Sequence, residues 1–254
     1  MTMDTSTAAA EAAAPAINAS AINTSGIDAR LVKLIDWMRT SAAPANGLLV
    51  PLSGGSDSAL IFWLLNQAFP ATPSANNKIV GVHVGDNLRC REWFETVGTV
   101  RLVAKPTLSA GQDAEVMRWA TVQSLCVKER LWLVGSRTRT EEALGTFSYA
   151  SCVATYLPLA SILKSDVMEL CALAGVPEEI LASSRRADPD CGRPQAMAEI
   201  PLEQIDIFLR VKLQELPASA LEALGEAAVK YLDGVYKRNQ FKRVLPKRGP
   251  VLTD

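Results

Sequence analysis

Histidine is nearly missing: His83 stands alone among 254 residues, so chemistry that needs two imidazoles is closed to this sequence. A Ser/His or Cys/His nucleophile would have to rest on that one side chain. The five cysteines, Cys90, Cys126, Cys152, Cys171 and Cys191, are odd in number, scattered and never spaced CxxC. That pattern argues against a disulfide framework or a structural zinc site and suits a reducing, cytoplasmic setting. No apolar run reaches the roughly 18–20 residues of a membrane span, so no membrane partner is expected. An excess of either charge is lacking as well. A net charge of −1 and a pI near 6.0 give no push toward nucleic acid. No internal repeat is visible. What remains is a 27.3 kDa chain with 48% hydrophobic residues, enough for one sizeable core.

The most informative stretch is residues 48–65, LLVPLSGGSDSALIFWLL, which reads as strand, glycine turn and helix. Gly54 and Gly55 let the backbone turn tightly and bring N–H groups close to a ligand. Those groups, the Ser53 and Ser58 hydroxyls and the following helix N-terminus outline an anion site suited to a polyphosphate. Asp57 beside such a site makes sense when a divalent cation bridges the two. No Lys follows the second glycine, so this is not the GxxxxGK[ST] loop. A plain turn capped by Ser or Asp is the alternative reading. Ser-Gly-Gly-x-Asp-Ser after an apolar strand resembles the pyrophosphate loop of ATP pyrophosphatases, which cleave ATP between the α and β phosphates.

Residues 1–25 are Ala/Ser/Thr-rich with Asp4 and Glu11 as the only charges, and are expected to form a disordered tail ahead of one domain over 26–254. Ile27, Leu31, Leu34, Ile35 and Met38 share one helical face. A second strand is expected over 78–84, a further element over 97–103, a long helix over 114–129 and a buried strand over 131–134 ending at Gly135 and Ser136. Ser165 is the expected N-cap, and Gly175 the C-cap, of a helix over 165–175. Another helix starts near Pro177. Residues 183–194 read as a polar loop and 237–248 as a basic segment. Strands separated by helices predict an α/β fold with a single doubly wound parallel sheet of about five strands. Its ligand crevice lies outside the strands' carboxyl ends.

Six segments, in order, resemble the ammonia-dependent NAD synthase family. They are the 53–58 loop; Gly135-Ser136 followed by Glu141 and Gly145; Leu157-Pro158-Leu159 leading to Lys164 and 174–180; Ala187-Asp188; Ile205-Asp206 with Phe208-Leu209; and Phe241-Lys242-Arg243 with Pro246. The resemblance spans about 27–250 and implies an adenine nucleotide alpha-hydrolase-like fold. It also implies an ATP-dependent ligase that adenylates the carboxylate of nicotinic acid adenine dinucleotide and lets ammonia displace AMP. By that resemblance Asp57 and Glu141 hold Mg²⁺, and Lys164, Lys242 and Arg243 neutralise phosphate oxygens. Ser136 and Arg186 join Ser53, Gly54, Gly55, Ser56, Asp57 and Ser58 in ATP binding, with Asp57 and Lys164 as the catalytic pair. Arg118, Tyr149, Lys242 and Arg243 are candidate substrate contacts. A homodimer is implied, with the helices at 27–40 and 114–129 as candidate interfaces.

Departures cluster where the family handles its acid. Residues 83–93 lack the usual Pro/Gly turn and acidic run, and 147–156 carry neither Lys nor carboxylate. Arg186 and Phe241 replace a hydroxyl residue and a His of the family pattern. Arg89, Arg91, Arg185, Arg186 and Arg193 offer forks for a carboxylate or phosphate. Adenylation of a different acid therefore stays open. So do sulfur transfer through Cys152 or Cys191 and a non-catalytic nucleotide-binding module. Without a recognisable glutaminase segment, free ammonia is the expected nitrogen source.

Overall fold

The computed structural model describes residues 28–70, 78–185 and 195–244. The expected tail at 1–25 lies outside them, as do Arg186, Ala187-Asp188, Cys191, Arg193 and Pro246.

Asp28 accepts a hydrogen bond from the Arg30 N–H and starts α1 (Ala29–Ser41), whose Leu31, Ile35 and Met38 turn inward. Strand β1 (Gly47–Pro51) leads through the glycine turn into α2 (Ser56–Ala68). Helix α2 has no polar face, because α1, the sheet and α6 (Lys164–Leu173) enclose it; Ala59 through Phe62, Leu64 and Leu65 are fully buried. Then follow β2 (Lys78–Val84), α3 (Arg91–Val97), β3 (Val100–Val103), α4 (Ala114–Glu129), β4 (Trp132–Leu133) and α5 (Arg139–Leu144). After α6 come α7 (Glu178–Arg185), α8 (Gln195–Ala198), α9 (Leu202–Lys212) and α10 (Glu226–Arg238). Short 3-10 turns lie at Tyr149–Val153, Ala218–Ala223 and Gln240–Val244.

All strand pairs are parallel, in the order β3-β2-β1-β4. Strand alternation then sorts the core. Leu48 and Val50 of β1 face α1, α2 and α6, while Leu49 joins Val80, Val82 and Val84 under Val122 and Cys126 of α4. A third apolar cluster, built from α5, α9, α10 and Leu163, flanks this sandwich.

The expectation of about five strands is corrected: the described residues form four. Beyond β4 the ladder shrinks to one parallel bridge, Val134 to Tyr156. Pro158, two residues on, has no N–H to extend it. A second correction concerns α6, which begins at Lys164 behind Leu163 rather than behind Ser165. Its first N–H groups are capped from other elements: Lys164 N–H by Thr140 Oγ at 2.8 Å and Ser165 N–H by Asp206 Oδ2 at 3.0 Å. The helix ends as expected near Gly175, in a paired turn. Val176 N–H reaches Cys171 O and Gly175 N–H reaches Ala172 O, with Gly175 at φ +71. Helix α3, which begins at the end of the divergent 83–93 region and runs on to Val97, has no counterpart among the sequence expectations.

Candidate active site

The glycine turn closes on itself. Ser53 Oγ accepts from the Gly55 N–H at 3.2 Å and lies 3.2 Å from Ser58 Oγ, which in turn donates to Gly55 O at 3.0 Å. Gly54 sits at φ +79, where a side chain would be strained. Ser58 is buried and spent on holding this shape. A cavity of about 1000 Å³ opens over the turn, lined by Ser53, Gly55, Ser56 and Asp57 and, from later segments, by Ser136, Glu141, Lys164 and Arg118. It lies at the carboxyl ends of β1 and β2, the expected crevice.

Lys164 enters this cavity almost completely buried and reaches the turn. Its Nζ lies 2.5 Å from Asp57 Oδ1 and 2.9 Å from Ser56 Oγ. Its direction is set by the trans-capped start of α6. Thr140 Oγ donates to Asp206 Oδ1 at 2.9 Å, so one buried pair ties α5, α6 and α9 together beneath the site. Asp206 and Thr140 thus act on the site through Lys164, a role that the sequence reading did not assign to them.

Glu141 is the third residue of α5 and part of a capping box. Its Oε2 accepts from the Thr138 N–H at 2.8 Å, and its own N–H bonds Thr138 Oγ at 3.4 Å. Burial, then the charge of Asp57, raise its carboxyl above the usual carboxylate range, with the Thr138 hydrogen bond and Lys164 opposing. Two hard oxygen ligands that repel each other beside an anion cradle suit Mg²⁺, which takes one or two carboxylates and completes its shell with water and phosphate. Asp57 and Glu141 therefore fit a divalent cation. No group of three or more His, Cys, Asp or Glu is placed to cage a metal among the described residues.

Gly54 and Ser58 shape the turn without lining the cavity, and outside the turn three more predicted residues among those described do not line it. Lys242 Nζ donates to Phe147 O at 2.7 Å and stands over the Phe147 and Tyr149 rings, 5.4 and 4.9 Å from their centroids. Arg243 donates to Tyr236 O at 2.7 Å and stacks 3.8 Å over that ring. Tyr149 is exposed beside Phe241. These backbone and ring contacts draw the three side chains into a cationic–aromatic cluster next to Gly145. That glycine ends α5 at φ +65, and any Cβ on it would meet Asn239 at 2.8 Å.

The parallel sheet, the strand–Ser-Gly-Gly-x-Asp-Ser–helix cradle and the cavity above it define an adenine nucleotide alpha-hydrolase-like fold. Comparison with known proteins narrows this. The NAD synthase family model matches residues 107–246, and the chain belongs to that family. An NH(3)-dependent NAD(+) synthetase from Alkaliphilus oremlandii is 23% identical over 257 residues, covering 88% of this chain and 97% of its own. One from Carboxydothermus hydrogenoformans is 27% identical over 180 residues, covering 61% and 73%. Among solved structures, an NH3-dependent NAD synthetase from Campylobacter jejuni superposes with a TM-score of 0.65 at 16% identity, covering 87% of this chain and 97% of that one. An NMN synthetase from Francisella tularensis gives 0.66 at 19%, with the same coverage. The family match begins after the 53–58 loop, which the Alkaliphilus oremlandii relative, with 88% of this chain covered, includes.

Proposed function

We propose that this chain is an ATP- and Mg²⁺-dependent ligase that adenylates a carboxylate, releases pyrophosphate and transfers ammonia to the acyl group, as an NAD synthase does with nicotinic acid adenine dinucleotide. The observation that carries this reading is Lys164 buried on Asp57 and Ser56 at the mouth of the glycine turn, with Glu141 in the same cavity.

In the reaction, a carboxylate oxygen forms a bond to the α-phosphorus while the bridge to the β-phosphate breaks. Ammonia then attacks the acyl carbon, AMP leaves with the bonding electrons, and one proton is released. The turn's N–H groups and the Ser53 and Ser56 hydroxyls bind and orient the phosphates. Lys164 supplies a fixed cation where charge builds on phosphate oxygens, and its burial excludes competing water. Asp57 and Glu141 would hold the Mg²⁺, which when bound offsets phosphate charge.

A different acid is the second reading. The fold is shared with a protein named NMN synthetase, and the 83–93 and 147–156 segments depart from the family pattern. The test incubates the protein with ATP, Mg²⁺, ammonium and either nicotinic acid adenine dinucleotide or other nucleotide acids. Expected products are AMP, pyrophosphate and amide in equal amounts; ADP as the sole product would sink the assignment.

Pairing with a second copy is part of the same proposal. Val116 and Val127 on α4 are 51% and 75% exposed, which supports that helix as the interface. Helix α1 offers less: Leu31, Ile35 and Met38 are committed to the core, which leaves Trp37, 44% exposed, as its large exposed apolar side chain. Light scattering of the purified protein distinguishes dimer from monomer.

A further inference from the structure

One more cation is built against the glycine turn, and it comes from the divergent segment. Arg89 follows β2 and packs on Gly54: a Cβ at Gly54 would lie 3.3 Å from Arg89 Cβ and 3.5 Å from its backbone N. The Arg89 guanidinium Nη1 donates to Ser183 Oγ at 2.5 Å. Ser183 in turn donates to Ile180 O at 2.8 Å, one helical turn back in α7. The neighbouring Ser184 Oγ accepts from the Ser56 N–H at 3.3 Å. Two consecutive hydroxyls of α7 thus hold the arginine and the turn, and Arg89, Ser183, Ser184, Ser53, Gly55 and Ser56 line one cavity.

The charge balance gives this arrangement a purpose. Lys164 is already matched by Asp57, and Glu141 and Glu179 add further negative charge to the cavity. A triphosphate entering there carries more negative charge than Lys164 alone can offset, so the other cations of the lining come into play. Lys105 and Arg118 line the cavity from the β3–α4 side, whereas Arg89 is packed on the turn itself. A guanidinium offers a planar fork for phosphate oxygens.

We propose that Arg89 binds the pyrophosphate half of ATP, with Ser183 as the residue that positions its guanidinium. The proposal rests on the adenylation reading above. When the carboxylate oxygen bonds to the α-phosphorus and the α–β bridge breaks, the bridging oxygen keeps the electron pair. Pyrophosphate therefore gains negative charge as it leaves, and a preorganised fork stabilises that charge.

The test titrates wild-type full-length protein, R89Q, R89K and S183A with inorganic pyrophosphate in Mg²⁺ and, separately, with AMP, alongside thermal melts. R89Q is expected to weaken pyrophosphate binding at least about tenfold, the scale of a lost charged hydrogen bond, and to leave AMP binding unchanged. R89K should fall between R89Q and wild type, and S183A should show a smaller loss in the same direction. Wild-type pyrophosphate affinity in R89Q overturns the proposal, as does an equal loss for AMP, which marks a merely structural residue. If R89Q fails to fold, unchanged pyrophosphate affinity in both R89K and S183A overturns it. A wild-type protein that binds no pyrophosphate removes the cradle reading itself and this proposal with it; binding that ignores Arg89 removes only the latter.

Discussion

The Lys164 ammonium rests 2.5 Å from the Asp57 carboxylate, although the two residues are 107 positions apart in the chain. A cation in the first turn of a helix opposes the helix dipole, so α6 gains nothing intrinsically from starting at Lys164. The position is held by the ion pair and by Thr140 and Asp206, which take the first helical N–H groups. Replacing Lys164 by Met leaves Asp57 and Glu141 uncompensated in a largely buried site. The expected loss is about 3 kcal/mol, the lower end for stripping one partner from a buried pair, because Asp57 keeps 23% of its side-chain surface in water. The double variant D57N/K164M should recover part of that stability and none of the activity. Urea unfolding of the four members of the cycle measures the coupling; additive losses would contradict a pair.

Glu141 makes the opposite prediction. Its carboxyl titrates above the ordinary value near 4.5 because burial and the Asp57 charge disfavour its ionised form. Between the unfolded and the raised folded value the native state binds the extra proton, so stability falls as pH rises through that window. Above it, the cost persists until a cation binds. Gln keeps the acceptor that the Thr138 N–H needs and discards the charge. E141Q should therefore melt higher than wild type without ligand at neutral pH, by roughly 2–4 °C, the effect of about 1 kcal/mol on a chain of this size. It should also lose the stabilisation that Mg²⁺ with ATP gives wild type. A lower melting temperature without ligand, or an unchanged response to Mg²⁺, would count against Glu141 as a metal ligand.

Much of this architecture is legible in the sequence where the signal is local. The 114–129 helix, the 78–84 strand and the 48–65 strand–turn–helix follow from periodicity and punctuation within each segment. The fifth strand and the N-cap of α6 do not, because both depend on distant partners: a ladder stopped at Pro158, and caps supplied by Thr140 and Asp206. The candidate site divides in the same way. Asp57, Glu141, Lys164, Ser136 and Arg118 converge on one cavity, as the family resemblance implies. Lys242 and Arg243 lie outside the cavity lining, on carbonyls and rings that a motif, which gives residue types in order, does not specify. Arg89 was one arginine among several in the sequence; only the packing on Gly54 sets it apart.

The edge of the sheet carries the acid sensitivity. Glu129, the last residue of α4, bonds Arg101 of β3 and Lys78 of β2, and these partners, Arg101 first, hold its carboxyl down to about 2. A lowered folded value contributes stability that is present above the unfolded value near 4.5 and is lost as pH falls from there toward 2. Melting temperature recorded from pH 7 to 3 should therefore drop more steeply below pH 4.5 in wild type than in E129Q. High salt should narrow the gap, since the pair is partly exposed. Parallel curves would show that this junction adds nothing to the fold.

Cysteine reactivity separates amidation from sulfur transfer. Cys171 lies 3.4 Å from Ser56 O behind the glycine turn; burial first, then the charge of Asp57, push its thiol up to about 12. Burial and the charge of Glu129 push Cys126 up to about 11. At pH 8 a thiol shifted from 9 to 12 presents roughly a thousandfold less thiolate, and the thiolate is the nucleophile. Cys152 is exposed, with Arg137 Nη1 4.0 Å from its sulfur. Iodoacetamide on the native protein is expected to modify Cys152 and to spare Cys126 and Cys171 until the chain is unfolded, with peptide mass spectrometry locating each adduct. An enzyme that transfers ammonia has no use for that accessible thiol, so C152S should form amide at the wild-type rate. Loss of product in C152S, with its melting temperature intact, would move sulfur transfer ahead of amidation. Native labelling of Cys171 would show that the turn opens far enough to expose the thiol packed behind it.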